Sequence, residues 1–268
     1  MYFAKRVFSI FCVLIVSESV AYGQSPPAVS INSDIPGQAF TPFTINENVL
    51  QTQNGIGIRS LIYNSMVLSH IVPNTFLRFG LGHRTEINAS FERIGAAGYR
   101  KNFTSPKLPI MKTMSLGLRY ELNLWQNKLR KPAATVLVMA NLPYAKFNTK
   151  NTVNTTATLI VRQELSKKWA CNFNLGVNTD FNNPLSTSYV ANLGYAIAPK
   201  WSVFAESFGS FTANKLYNYF DAGFAFVPHI DWQIDLYAGN GLGHNMYNGF
   251  INAGFSYRLN NKDTRRAH

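Results

Sequence analysis

The sequence predicts an all-β protein, an antiparallel transmembrane β-barrel of about twelve strands with short periplasmic turns and longer extracellular loops. Three observations carry this expectation. Apolar and polar residues alternate with a period of two over most of the chain, the links between alternating stretches differ in length from one side to the other, and the composition is aromatic-rich and charge-poor. Of 268 residues, 14% are aromatic and only 14% charged, against roughly 25% charged in ordinary soluble domains. Past the N-terminus no apolar run approaches the roughly 18 residues of a membrane helix. Few charges and many aromatics also exclude disorder. A secreted all-β protein or a membrane barrel remains.

Taken from the start, residues 1–23 read as a signal peptide. Lys5 and Arg6 precede an apolar stretch over 7–16 that is too short to span a bilayer, and Ala21-Tyr22-Gly23 has the small-x-small form of a cleavage site. Cys12 leaves with that peptide, so Cys171 stands alone and no internal disulfide is possible. Residues 24–47 hold four prolines and no periodicity, and read as an irregular N-terminal segment, periplasmic or lodged as a plug. The barrel is expected over 48–260, followed by a basic periplasmic tail over 261–268.

Within the barrel the alternation is plain. In 113–124, Met114, Leu116, Leu118, Tyr120, Leu122 and Leu124 share one face, while Thr113, Ser115, Gly117, Arg119, Glu121 and Asn123 share the other. In 169–180, Trp169, Cys171, Phe173, Leu175 and Val177 oppose Asn172, Asn174, Asn178 and Asp180. In 250–259, Ile251, Ala253, Phe255, Tyr257 and Leu259 oppose Asn252, Ser256 and Arg258. Similar stretches are expected as strands over 84–94, 153–165, 187–197 and 230–240, with weaker ones over 48–60, 74–82, 132–143, 201–213 and 218–228. Tight turns are expected at Gly82-His83, 166–168, 198–200 and Pro228-His229, with 126–131 slightly longer. Longer polar links are expected over 60–73, 95–111, 144–152, 181–186, 213–218 and 241–248.

The polar parity names the lumen. Arg78, Glu86, Arg119, Glu121, Arg162, Glu164, Glu206, Asp221, Asp235 and Arg258 all fall on it, as unpaired charges in hydrocarbon would be costly. Arg78 and Glu86 can meet across the Gly82-His83 turn, Arg119 and Glu121 lie two apart, and Arg162 and Glu164 repeat that spacing. A network of Arg–carboxylate bonds spanning the lumen is expected from them. Trp125, Trp169, Trp201 and Trp232 fall at strand ends on the short-turn side, as a membrane-interface girdle would. Basic residues such as Arg84, Lys128, Arg130, Lys131, Lys167, Lys168 and Lys200 sit in the same turns.

Other chemistries find little support. Gly239-Asn240-Gly241-Leu242-Gly243 and Gly55-Ile56-Gly57 precede no helix, so they are not nucleotide loops. The five histidines fall on opposite sides of the membrane and form no metal set, and no cofactor is expected. The high net charge, +12, does not gather on one element with stacking aromatics, which speaks against nucleic acid. A lipid hydrolase would need a Ser-His pair near the outer rim, for which only Ser69-His70 and His244-Asn245 stand close.

The run Asn32-Ser33-Asp34-Ile35-Pro36 and the stretch 48–57 begin a series that resembles Gram-negative outer-membrane proteins of the phenol meta-degradation "transporter" family. Phe76-Leu77-Arg78-Phe79-Gly80-Leu81, Thr85-Glu86-Ile87-Asn88, the stretches 114–122, 132–143 and 172–176, and Phe204-Ala205-Glu206 continue it. Asp221-Ala222-Gly223, Gln233-Ile234-Asp235-Leu236 and Gly254-Phe255-Ser256-Tyr257-Arg258 close it. Members commonly carry Thr-Asp-Arg-Pro where this chain has Ser33-Asp34-Ile35-Pro36. The resemblance implies a barrel in the outer membrane of a Gram-negative bacterium and uptake of small aromatic or apolar compounds. The expected function is therefore passive or facilitated passage of such solutes through a narrow charged lumen, without catalysis. A structural or surface-interaction barrel with a plugged lumen is the alternative, and a lipid hydrolase a more distant one. The expected partners are outer-membrane lipids, a small solute and the barrel-assembly machinery.

Overall fold

The computed structural model of the chain describes residues 31–34, 37–63, 66–97, 111–122, 132–143, 153–179, 185–213, 215–242 and 249–259. Twelve strands are present: β1 (Leu50–Tyr63), β2 (Met66–Gly82), β3 (Thr85–Ala97), β4 (Met111–Leu122), β5 (Ala133–Pro143), β6 (Asn154–Glu164), β7 (Trp169–Thr179), β8 (Ser186–Ala198), β9 (Trp201–Thr212), β10 (Lys215–His229), β11 (Trp232–Leu242) and β12 (Gly249–Leu259). Each pairs antiparallel with its sequence neighbours, and β12 returns to β1, closing the barrel. Closure leaves no sheet edge, the condition for a sheet to sit in lipid with every backbone donor paired.

The side chains are arranged inside-out relative to a soluble protein. Leu116, Leu118, Phe173, Leu175, Ile234, Leu236, Ile251 and Phe255 are exposed on the outer wall, while Ser115, Arg119, Asn172, Asn174, Gln233, Asp235, Asn252 and Ser256 are buried. A soluble sandwich would reverse that assignment, because its burial is driven by apolar area. The outer wall is built for hydrocarbon.

Two expected outer loops prove to be strand over most of their described residues. Residues 60–63 and 66–73 continue the first hairpin, with Tyr63 opposite Met66 and Ser60 opposite Ser69. Pro73 disguises the strand because it lacks a ladder donor; it stands opposite Ile56 of β1, while pairing to β3 lapses at Val72 and Pro73 and resumes at Asn74. Likewise β10 already begins at Lys215, opposite Thr212. The short-turn side holds the tight β2–β3 connection, where Gly82, His83 and Arg84 all have positive φ (81°, 47° and 62°). His83 and Arg84, the two residues between the strands, are the left-handed pair that a two-residue hairpin needs to match the strand twist, so the turn sits one residue later than the expected Gly82-His83.

The interior is filled from below by the chain's own start. Residues 31–34 and 37–49 enter at the short-turn end, where the Ile31 amide donates to Ile230 O at 2.7 Å. They add no strand to the barrel. Phe40 and Phe76 pack against a small buried core of Leu137, Met139 and Ile160. These residues face inward, so the barrel's hydrophobic core lies between wall and plug.

Candidate functional site

Four charges lock the plug to the wall. Arg78 of β2 donates from Nε to Glu86 Oε1 at 2.7 Å and from Nη2 to Oε2 at 2.8 Å. Arg119 of β4 grips Asp34 of the plug in the same forked way, at 2.8 and 3.2 Å. The pairs are cross-linked, with Arg78 Nη1 3.4 Å from Asp34 Oδ2 and Arg119 Nε 3.5 Å from Glu86 Oε1. Two cations and two anions make a neutral quartet. Such a cluster is tolerated out of water only when its remaining donors are satisfied. Here plug carbonyls accept most of them: Arg78 donates to Asn32 O and Phe43 O, and Arg119 to Thr41 O.

The rest of the plug is held by backbone-to-wall bonds. Ile45 N donates to Glu86 Oε2, Thr135 Oγ1 to Pro42 O, and Gln38 N and Ala39 N to Glu206 at 2.6 and 3.2 Å. Ser33 and Ser256 share a hydroxyl contact of 2.8 Å. Thr44 Oγ1 donates to Glu121. Gly80 provides clearance, since a Cβ there would run into Asn46 O.

A cavity of about 290 Å³ remains beside the plug. Ile31, Ser33, Ala39 and Thr41 form one side of it, and Arg162, Asn172, Asn192 and Phe204 the other. It reaches the turn residues Ser166 and Lys167 at the short-turn end. The plug thus fills the lumen unevenly.

The other lumen charges take separate places. Arg162 donates to Asn172 Oδ1 at 3.5 Å and lies over the Phe43 ring instead of joining a carboxylate. Glu164 is exposed near the rim. Arg258 sits at the short-turn end and donates to Asp231 Oδ1 at 2.9 Å and to Ile230 O. Glu206 and Asp221 stand directly opposite in the β9–β10 register, and Asp235 stands opposite Gly254. Among the described residues the lumen charges do not join into one network. Residues two apart on a strand project side by side about 6.6 Å apart, so Arg119 and Arg162 turn to other partners than Glu121 and Glu164.

A family profile described as "MetA-pathway of phenol degradation" matches residues 33–259, from the plug to the end of β12. The chain belongs to that family. No curated protein sequence matches it. Among solved structures, the KdgM porin in complex with disordered oligogalacturonate is similar at TM-score 0.55 and 6% identity, covering 79% of this chain and 99% of its own. The NanC porin is similar at TM-score 0.54 and 9% identity, covering 78% of this chain and 100% of its own. At such identities these likenesses concern the fold. Outer membrane phospholipase A from Escherichia coli aligns at TM-score 0.46 and 12% identity, covering 86% of this chain and 95% of its own, too loosely to bear on activity.

For this member of the family, fold and neighbours point to an outer-membrane protein. At its short-turn end Trp169, Trp201 and Trp232 are exposed on the outer wall. Each stacks or abuts a neighbouring ring: Tyr195 at 4.6 Å, Phe226 at 4.3 Å and Tyr257 at 5.8 Å respectively. Trp125 lies outside the described residues, as does the tail over 261–268. Sequence reasoning assigned no role to Asp34, Phe40 or Phe43, because the segment that bears them has no periodicity. One signal was available for Asp34: two buried arginines, Arg78 and Arg119, need two carboxylates, and Glu86 supplies only one.

Proposed function

We propose that the barrel passes small solutes across the outer membrane along one side of its resident N-terminal plug. The observation that carries this reading is the cavity between the plug and the β6–β10 wall. A lumen plugged for support alone has no reason to leave such room on one side. The family description supports small aromatic compounds as the solutes.

The same reading includes export with cleavage after Gly23, insertion by the barrel-assembly machinery, and lipid contact along the outer wall. Arg162, which lines the cavity, would stand in the narrowest part and screen solutes by size and charge. Catalysis has no part in it. Ser69 and His70 are consecutive in β2, so their side chains point to opposite faces of the wall and cannot act as nucleophile and base.

The quartet of Arg78, Glu86, Arg119 and Asp34 favours the second reading, a structural barrel held shut by its plug. Single-channel recording of the refolded full-length chain in planar bilayers separates the two. Small, steady conductance steps are expected. A silent bilayer containing correctly folded barrel would overturn passage and leave the structural reading.

A further inference from the structure

Among the described lumen residues, each arginine is engaged. Arg78 and Arg119 hold Asp34 and Glu86, Arg258 holds Asp231, and Arg59 lies 3.9 Å from Glu92. Arg162 is committed to Asn172 and the Phe43 ring. Three lumen acids, Glu206, Asp221 and Asp235, meet no cation among the described residues. Glu206 accepts from neutral donors, Gln38 N, Ala39 N and Asn192 Nδ2, and lies against Asp221. Asp221 and Asp235 are 0% and 1% exposed; Asp221 lies against Glu206 and Asp235 against Gln233, so neither meets a cation among the described residues.

Aromatic rings surround these acids. Along the lumen face β9 reads Phe204, Glu206, Phe208; β10 reads Tyr219, Asp221, Gly223; and β11 reads Asp235, Tyr237, Gly239. Phe250 enters from the start of β12. The ring centroids form one ribbon: Phe204 to Tyr237 6.2 Å, Tyr237 to Phe250 6.4 Å, Phe250 to Phe208 6.1 Å, and Phe208 to Tyr219 5.3 Å. Glycines make it possible. A Cβ at Gly223 would lie 2.5 Å from Tyr237 Cβ, one at Gly239 would lie 2.5 Å from Asp221 Cβ, and one at Gly254 would run into the Asp235 carboxylate. Where those side chains are missing, Tyr237, Phe250 and Asp235 can lie across the wall. In the β10–β11 register Tyr237 falls between the rows of Asp221 and Asp235.

We propose that this aromatic and acidic ribbon on β9–β12 binds a small organic cation of the alkylammonium class. Ring faces carry negative quadrupole potential and attract such cations, more strongly where water is thinned out. Carboxylates set in a low-dielectric wall focus their field into the space they face, so the half-buried rings can make the contact while the acids supply the charge. An anion would meet three acids and the negative faces of five rings. A neutral aromatic solute could stack there but would leave the acids uncompensated. Charge is therefore the selecting feature. The ribbon shares only Phe204 with the cavity beside the plug, and the inference does not depend on passage.

The test is calorimetric titration of the refolded full-length barrel with tetramethylammonium chloride, against tert-butanol as a neutral group of similar shape. Tetramethylammonium is expected to bind about tenfold or more tightly than tert-butanol. The double variant D221N/D235N, with folding checked by heat-modifiable gel mobility, is expected to lose about tenfold in affinity, or about 1.4 kcal/mol. Phe208→Ala removes a half-buried ring and no charge, and is expected to weaken binding several-fold even if the double variant does not fold. Equal binding of the two probes, no binding of the cation, or unchanged affinity in a folded variant would each overturn the proposal. Cation binding by a barrel that conducts nothing would remove the passage reading and leave this site standing.

Discussion

Arg119 and Asp34, 85 positions apart in sequence, meet through two nitrogen–oxygen contacts of 2.8 and 3.2 Å with almost no exposure to solvent. One belongs to the wall and the other to the plug, so this pair is the main charged tie between them. Removing Asp34 leaves Arg78 and Arg119 to share Glu86 alone, with one positive charge buried in excess. Asp34→Ala is expected to destabilise the barrel by about 3–5 kcal/mol, as breaking buried pairs does. Pairing it with Arg119→Met should restore much of that loss, because the two substitutions share one interaction. Urea unfolding of the refolded single and double variants measures both effects; simple additivity would mean the tie carries no coupling.

Seating of the plug depends also on an absent side chain. Gly80 N donates to Val49 O at 3.1 Å and Asn48 N donates to Gly80 O at 3.0 Å, while a Cβ on Gly80 would collide with Asn46 O. Gly80→Val should therefore unseat residues 45–49 with little effect on the strands, since Val suits a strand position. Limited proteolysis is expected to cut the N-terminal segment faster, and bilayer conductance to rise. An N-terminus as resistant as the unaltered one would contradict this seating.

The contrast between wall and plug also explains what the sequence could disclose. A wall residue must choose between lipid and lumen, and a period of two records that choice at every position. The stretch expected over 169–180 therefore matches β7, Trp169–Thr179, within a residue. Arg78, Glu86 and Arg119 could be placed inward by parity alone. The outer half of β2 stayed hidden because Pro73 resembles a loop residue, yet only its pairing to β3 lapses. Asp34 was illegible for a different reason. Its segment is fixed by bonds from its backbone to the wall, such as Gln38 N and Ala39 N to Glu206, and backbone bonding leaves no side-chain period. Arg258 was assigned to the lumen by parity, but parity does not report depth, and its partner Asp231 lies in the β11-side turn.

The two faces of the wall should respond differently to charge. Leu118 of β4 and Phe173 of β7 are exposed on the outer face near mid-strand. Replacing either by Arg is expected to cost about 2–4 kcal/mol, the range for a cation near the bilayer midplane. Ser210→Arg, on the lumen parity of β9 near its outer end, is expected to stay within about 0.5 kcal/mol. Reversible unfolding in lipid vesicles is the measurement. Equal costs on both faces would place the register one residue out, since such a slip exchanges the faces completely.

The girdle offers a last test, because its rings are exposed and yet ordered by one another. Trp201 stacks on Phe226 with centroids 4.3 Å apart and an interplanar angle of 23°, and Phe224 lies 6.1 Å away. Both partners come from β10, so the contact ties two neighbouring strands at the short-turn end. An aromatic pair of this kind contributes about 0.5–1.5 kcal/mol beyond the area it covers. Trp at the interface adds an anchoring role, its apolar body in the headgroup boundary and its indole N–H toward water. Trp201→Phe keeps a ring and loses the N–H; Trp201→Leu loses both ring and donor. Trp201→Leu is therefore expected to destabilise the barrel in vesicles by about 1 kcal/mol more than Trp201→Phe. In detergent, where the lipid headgroup boundary is gone, the stacking loss should persist and the anchoring loss should shrink. A Trp201→Phe variant equally destabilised in vesicles and detergent would show that the indole reads no interface there.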